Sequence, residues 1–180
     1  MERSIAMIAL FAALIAALGL IPKFTLAFGV PITAQSMGVM LCGTVLGARR
    51  GALAVLLFLV LVALGLPFLA GGRGGLGAFA SPSVGFLIGW PVAAFVTGLI
   101  VERCTANLAL VASVASIVGG IIVMYVFGIV GLSVMLDKTL VDATLLVTAF
   151  IPGDVIKAVL AGFITAGLAR SRPSSVLSRS

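Results

Sequence analysis

Residues 104–136 read CTANLALVASVASIVGGIIVMYVFGIVGLSVML, with no Asp, Glu, Lys or Arg among them. A helix needs about 20 apolar residues to cross the hydrocarbon of a bilayer. This run exceeds that length. It has no polar face to turn toward water, so it reads as a membrane-spanning helix. The neighbouring charges divide the rest of the chain in the same way. Residues 4–21, 24–48, 51–72 and 74–101 are uncharged, and 143–169 carry only Asp154 and Lys157. The pattern predicts six crossings, at 4–21, 34–48, 51–67, 82–102, 106–132 and 143–170, in an all-α integral membrane fold.

Composition agrees. Of the 180 residues, 62% are hydrophobic and 9% are charged, with a mean hydropathy of +1.37. A soluble domain carries roughly 25% charged residues. The solvent for this surface must therefore be lipid. The net charge of +6 comes from basic residues scattered singly, without a basic face, which argues against a nucleic-acid partner. The chain has no histidine, so the usual proton carrier of hydrolytic sites and His-ligated metals are both excluded. Cys42 and Cys104 read as small packing residues. Residues 1–21 resemble a signal peptide, with Arg3 ahead of an apolar run. The chain stays as hydrophobic afterwards, so this stretch reads as a retained first helix.

Lys and Arg set the expected orientation. With the N-terminus inside, Arg3, Arg49, Arg50, Arg103, Arg170, Arg172 and Arg179 fall on the cytoplasmic side. Lys23, Arg73 and Lys138 fall outside. Seven against three places both termini in the cytoplasm. Residues 1–170 are expected to form one transmembrane domain, followed by a short polar tail at 171–180 that frays. Two Pro- and Gly-containing stretches, 22–33 and 67–82, are expected to fold over the outer end.

The strongest local signal is Ile151-Pro152-Gly153-Asp154-Val155-Ile156-Lys157. Pro152 suits the first turn of a helix, and Asp154 would sit near its positive end. Asp154 and Lys157, three residues apart, share a face. Opposite charges inside an apolar span are costly and mark a functional site by default. The alternative is a pair that only neutralises itself. Together they offer acceptors and donors to a ligand with N–H groups and a carboxylate.

Gly72-Arg73-Gly74-Gly75-Leu76-Gly77 matches the dinucleotide pattern G-x-G-x-x-G, but it lies between membrane spans instead of between a strand and a helix. It reads better as a glycine-rich lid. Arg73 either meets an anionic ligand or is solvated. Gln35, beside Thr33 and Ser36, either bonds a ligand or caps a helix. Trp90, Phe79 and Phe86 could stack on a ligand or pack. Ala9, Ala13 and Ala17 form a small-residue stripe that suits helix packing or a partner protein. The pairs Gly43–Gly47 and Gly85–Gly89 read as internal packing.

Taken together, several of these stretches resemble the BioY family, the biotin-specific S components of energy-coupling factor (ECF) transporters. Val30-Pro31-Ile32-Thr33-Ala34-Gln35 is similar to the family's Val-Pro-Ile-Thr-x-Gln. Leu46-Gly47-Ala48-Arg49-Arg50-Gly51-Ala52-Leu53-Ala54 resembles its second turn. Gly65-Leu66-Pro67-Phe68-Leu69-Ala70-Gly71-Gly72, followed by Gly74-Gly75-Leu76-Gly77, resembles its outer glycine loop. Phe150-Ile151-Pro152-Gly153-Asp154-Val155-Ile156-Lys157 resembles its last-helix motif. The likeness covers residues 5–168. One segment departs: Ala80-Ser81-Pro82-Ser83-Val84-Gly85-Phe86 stands where the family commonly reads Gly-Pro-Thr-Gly-Gly-Tyr, so Phe86 lacks a hydroxyl.

The resemblance implies a six-helix S-component fold that binds biotin under its outer loops, with no cofactor. It implies Asp154 and Lys157 as the polar ligand contacts, with Gln35, Gly74, Gly75, Ser83 and Phe86 at matching positions. It implies docking of the Ala9, Ala13, Ala17 stripe on a transmembrane T component. No ATP-binding motif is present, so two separate ATPase subunits would supply the energy in the bacterial cytoplasmic membrane. Three other readings of the residues stay open: a membrane enzyme using Asp154 as base, a subunit for another small vitamin, and a channel or packing subunit without a ligand.

Overall fold

A computed structural model describes residues 2–27 and 29–179. Among them six helical rods form a single bundle. The first three are α1 (Glu2–Leu18), α2 (Gln35–Leu46) and α3 (Ala48–Ala63), followed by α4 (Val84–Arg103). The fifth joins α5 (Leu108–Ile117) to α6 (Met124–Leu136) through a π-helical turn at Val118–Val123. The sixth joins α7 (Leu140–Val147) to α8 (Ile151–Ser171) through a 3-10 turn at Thr148–Phe150.

Three rods are long and apolar enough to cross a bilayer on their own: Val84–Arg103, Leu108–Leu136 and Leu140–Ser171. The other three are shorter than the sequence pattern predicted. At 12 residues, α2 rises only about 18 Å. Its end is fixed by Gly47, whose φ of 87° turns the chain at once into α3. Glu102 of α4 accepts from the Ala48 N–H at 2.9 Å and so caps the start of α3.

The bundle is packed as a lipid-solvated protein is. Small residues are inside: Ala54, Ala93, Ala94, Ala112, Ala158 and Ala161 are fully buried. Large apolar side chains such as Leu53, Val60, Ile88, Val126, Leu145 and Phe163 face outward. Helices approach until backbones touch. A Cβ on Gly43 would meet the Ala94 carbonyl, and one on Gly85 would meet Gly131 and the Phe127 carbonyl. Both glycine pairs are therefore internal packing, as the sequence suggested. Cys42 is buried, whereas Cys104 is exposed, and both are free thiols.

Both expected loops cap one end of the bundle. The first contains a two-stranded antiparallel hairpin, β1 (Phe24–Thr25) and β2 (Pro31–Ile32), an exception to the all-helical expectation. The second contains the glycine loop and a 3-10 turn at Leu76–Ala80. Lys23 Nζ donates to the Ala70 carbonyl at 3.2 Å and ties the two together.

The tail does not fray. Val176, Leu177 and Ser178 are buried at the opposite end of the bundle. Ser178 Oγ donates to the Thr44 carbonyl at 2.5 Å, and Arg50 donates to the Leu177 carbonyl at 3.5 Å. The polar composition of 171–180 concealed one apolar pair, Val176 and Leu177, and burying that pair is what holds the segment down.

Candidate functional site

The cavity lies where α2, α4, α6 and α8 meet the two capping loops. Local chemistry places its charged residues. Pro152 has no N–H to give the Thr148 carbonyl, which accepts from Ile151 instead. That shortened bond is the 3-10 turn, and α8 restarts with Asp154 in its first turn. The expected crossing at 143–170 already includes the residues before this point. The structure has helix α7 there, so Asp154 lies well inside the sixth rod.

Asp154 is 4% exposed. Its Oδ1 accepts from Lys157 Nζ at 2.8 Å, forming a buried ion pair. Ser36 of α2 accepts from Lys157 Nζ at 3.0 Å and lies 3.4 Å from Asp154 Oδ1. Tyr125 of α6 donates its hydroxyl to Asp154 Oδ2 at 2.8 Å. Three helices thus converge on one carboxylate. A carboxylate has about four lone-pair sites, and these bonds leave one on Oδ2. The Lys157 ammonium has three donors, and two are used. The pair therefore presents a spare acceptor beside a spare donor.

Much of the remaining wall is apolar, including Val30, Leu69, Phe86, Trp90, Met124 and Phe150. Phe86 packs edge-on against Tyr125 and Phe150, with ring centroids 6.4 and 5.7 Å away. Trp90 backs onto Phe58 at 6.0 Å. The cavity is narrow. Its volume is about 60 Å³, room for roughly five waters.

Arg73 reaches the wall from the glycine loop. Its guanidinium donates to Ser83 Oγ at 3.4 Å, and Ser83 in turn bonds Ser81 at 2.8 Å. The buried Arg73 Nε has no hydrogen-bond partner among the described residues. Burial lowers the guanidinium's affinity for its proton below the ordinary value.

Gln35 also lines the cavity, but its side chain is occupied. Nε2 donates to the Ile15 and Phe68 carbonyls, both at 3.0 Å, and Oε1 accepts from the Ala70 N–H at 2.9 Å. It pins α1 and the glycine loop to the start of α2. Gly74 and Gly75 are absent from the wall. Gly75 has a φ of 75° and donates to the Val62 carbonyl at 2.7 Å, while a Cβ on Gly74 would strike the Leu66 carbonyl. Both shape the loop that delivers Arg73. Phe79 packs outside the cavity, against the core.

The site thus brings together Asp154, Lys157, Gln35, Arg73, Ser83, Phe86 and Trp90. The residue that sequence reasoning missed is Tyr125. A signal was present, because it is the chain's single tyrosine and lies in the uncharged run 104–136. A phenol in an apolar span requires a partner. Ala9, Ala13 and Ala17 do not line the cavity and lie on an exposed face of α1.

This fold and site define a multi-pass membrane protein built to bind a small amphipathic ligand. The chain belongs to the BioY family, which it matches over residues 2–174. It is 54% identical over 189 residues to the biotin transporter BioY of Rhodobacter capsulatus, covering 99% of this chain and 100% of that one. It is 54% identical to the biotin transporter BioY of Rhizobium etli, covering 90% of each. Its fold is that of the S-component for biotin from an ECF-type ABC transporter, known from a crystal structure at 2.1 Å. The two superpose with a TM-score of 0.88 at 32% identity, covering 94% of this chain and 92% of the other.

Proposed function

We propose that this chain captures biotin as the substrate-binding subunit of an ATP-driven ECF uptake system in the bacterial cytoplasmic membrane. The observation that carries the proposal is the spare acceptor on Asp154 beside the spare donor on Lys157, in a cavity walled largely by apolar side chains. A ureido group carries N–H donors next to a carbonyl acceptor. Asp154 takes a ureido N–H and Lys157 meets the carbonyl oxygen. The apolar ring and chain lie against Phe86, Trp90, Leu69 and Phe150. The carboxylate meets Arg73, whose Nε has no other partner, with Ser83 alongside.

Gln35, Gly74 and Gly75 serve binding through the backbone they hold, since the Gln35 hydrogen bonds already go to α1 and the glycine loop. The contracted cavity is too narrow for a bicyclic vitamin, so hairpin and glycine loop part to admit it and close over it. The loop end faces outward and both termini face the cytoplasm, as the seven-to-three Lys and Arg asymmetry favours. The exposed Ala9, Ala13 and Ala17 stripe docks on a transmembrane T component. Two ATPase subunits drive the cycle.

The test is titration of the detergent-purified chain with biotin, repeated for Asp154→Asn and Arg73→Gln. We expect Asp154→Asn to lose binding at least a hundredfold with the fold retained. Biotin methyl ester should lose affinity for the wild type and lose little more in Arg73→Gln. Unchanged affinity in Asp154→Asn would remove the site assignment.

A further inference from the structure

A second feature, remote from the cavity, is an open groove of about 560 Å³ along the outer flank of α5 and α8. Its origin is the tight crossing of these helices, where a Cβ on Gly162 would collide with Ser113 Oγ and the Ala109 carbonyl. Beside that crossing the surface falls away over Leu110, Val159, Phe163 and Gly167. Leu110 and Phe163 are 63% and 64% exposed, and no described residue covers them. From Val159 to Arg170 the floor rises about 16 Å along α8, close to the half-thickness of the hydrocarbon layer.

One end of the groove is cationic. Arg170 lines it at the last turn of α8 and makes no hydrogen bond or ion pair among the described residues. Asn107 lines the same end, with only its Oδ1 engaged, accepting from the Leu110 N–H at 3.3 Å. The buried tail brings up a second cation. Arg179 reaches the Ala106 carbonyl, next to Asn107, at 3.5 Å. A largely apolar trough one leaflet deep, ending at the Arg170 guanidinium and the unengaged Asn107 amide N–H groups with Arg179 held at the adjoining Ala106, matches an acyl chain beneath an anionic headgroup.

We infer that the α5–α8 groove is a binding site for one anionic phospholipid. Its phosphate sits between Arg170, Arg179 and Asn107, and an acyl chain lies over Leu110, Val159 and Phe163. The site is separate from the vitamin cavity, and the argument is independent of which way the protein faces. Gly167 supplies a clean probe. It lies in the groove and a Cβ there meets nothing within 4 Å, so a larger side chain fills the trough without disturbing the fold.

The experiment uses the full chain in mild detergent, with lipid retention read by native mass spectrometry and thermal unfolding. Phosphatidylglycerol should be retained as a single bound molecule and should raise the unfolding temperature. Phosphatidylcholine and inorganic phosphate should do neither. Arg170→Gln combined with Arg179→Gln should weaken phosphatidylglycerol retention at least tenfold, and Gly167→Leu should do the same with both cations intact. Circular dichroism checks that each variant is folded, and the biotin titration should be unchanged. Equal stabilisation by phosphatidylcholine, or full effect from phosphate alone, would overturn the inference. So would lipid retention unchanged in the folded variants, including the case where they lose a partner protein instead.

Discussion

The Tyr125 hydroxyl donates to Asp154 Oδ2 at 2.8 Å, while Lys157 holds Oδ1 at the same distance. The carboxylate is therefore fixed from two sides, by α6 and by its own helix. A hydrogen bond to a charged group contributes about 1.5–3 kcal/mol. Tyr125→Phe keeps the ring against Phe86 and removes only this bond. We expect biotin affinity to fall about tenfold or more, at about 1.4 kcal/mol per decade. Calorimetric titration checks it. Wild-type affinity in this variant would show that Tyr125 does not orient Asp154 for the ligand.

The ion pair itself predicts a non-additive pattern. Removing Lys157 leaves a carboxylate buried with only hydroxyl donors, and breaking a buried pair from one side costs about 3 kcal/mol or more. Lys157→Met should therefore lower the unfolding temperature clearly. Adding Asp154→Asn to it should recover most of the loss, because no unpaired charge then remains. Neither protein should bind biotin. If the double variant is less stable than Lys157→Met, the pair is not the electrostatic unit described here.

Much of this was legible in the sequence because membrane solvation is a coarse constraint. Five uncharged stretches, a sixth interrupted only by a charge pair, and two punctuated loops are visible without coordinates. Pro152 foretold the start of α8, since a missing N–H must fall where a helix turn tolerates it. Other features depended on what is adjacent in space. The role of Gln35 could not be read, because its partners are carbonyls 20 and 33 residues away. The sixth crossing reads as 143–170 in the sequence, and the structure extends it by three residues to Leu140, where Thr139 accepts from the Asp142 N–H and caps α7. Tyr125 was not singled out, although its ring packs against Phe86, where the chain departs from the family pattern.

Gln35 gives a sharp test between structural and ligand-contact roles. Gln35→Leu conserves bulk but strands the Phe68 carbonyl and the Ala70 N–H, while the Ile15 carbonyl keeps its bond from the Gly19 N–H. Each buried orphan costs about 1–3 kcal/mol. Unfolding temperature and biotin affinity should fall together. A loss of affinity at unchanged stability would mean that Gln35 touches the vitamin directly.

Two glycines should respond oppositely to alanine. A Cβ on Gly98 would run into the backbone at Gly47 and Ala48, so Gly98→Ala must spread α4 from the α2–α3 turn. Overpacking of this kind costs about 1–3 kcal/mol. Gly153 is inside α8 with nothing within 4 Å of its missing Cβ. Gly153→Ala should gain up to about 1 kcal/mol in helix propensity. Thermal unfolding of both proteins decides it, and equal shifts would contradict the packing at Gly98.

The buried tail makes the last prediction. Val176 and Leu177 are 2% and 8% exposed, in contact with a core that a fraying segment would never reach. Burying such side chains contributes about 1.5–3 kcal/mol each. Ordering the segment costs about 1–2 kcal/mol per residue in backbone entropy, so the net gain is small. Thr44, which the tail covers, lies eight residues beyond Ser36 on α2, about 12 Å from the cavity floor. Truncation after Arg172 should therefore lower the unfolding temperature by a few degrees and leave biotin affinity unchanged. Leu177→Asp should reproduce the effect by placing a charge where Leu177 is buried, which separates packing from the loss of Arg179. Full stability in both proteins would mean that the tail is not held by its apolar pair.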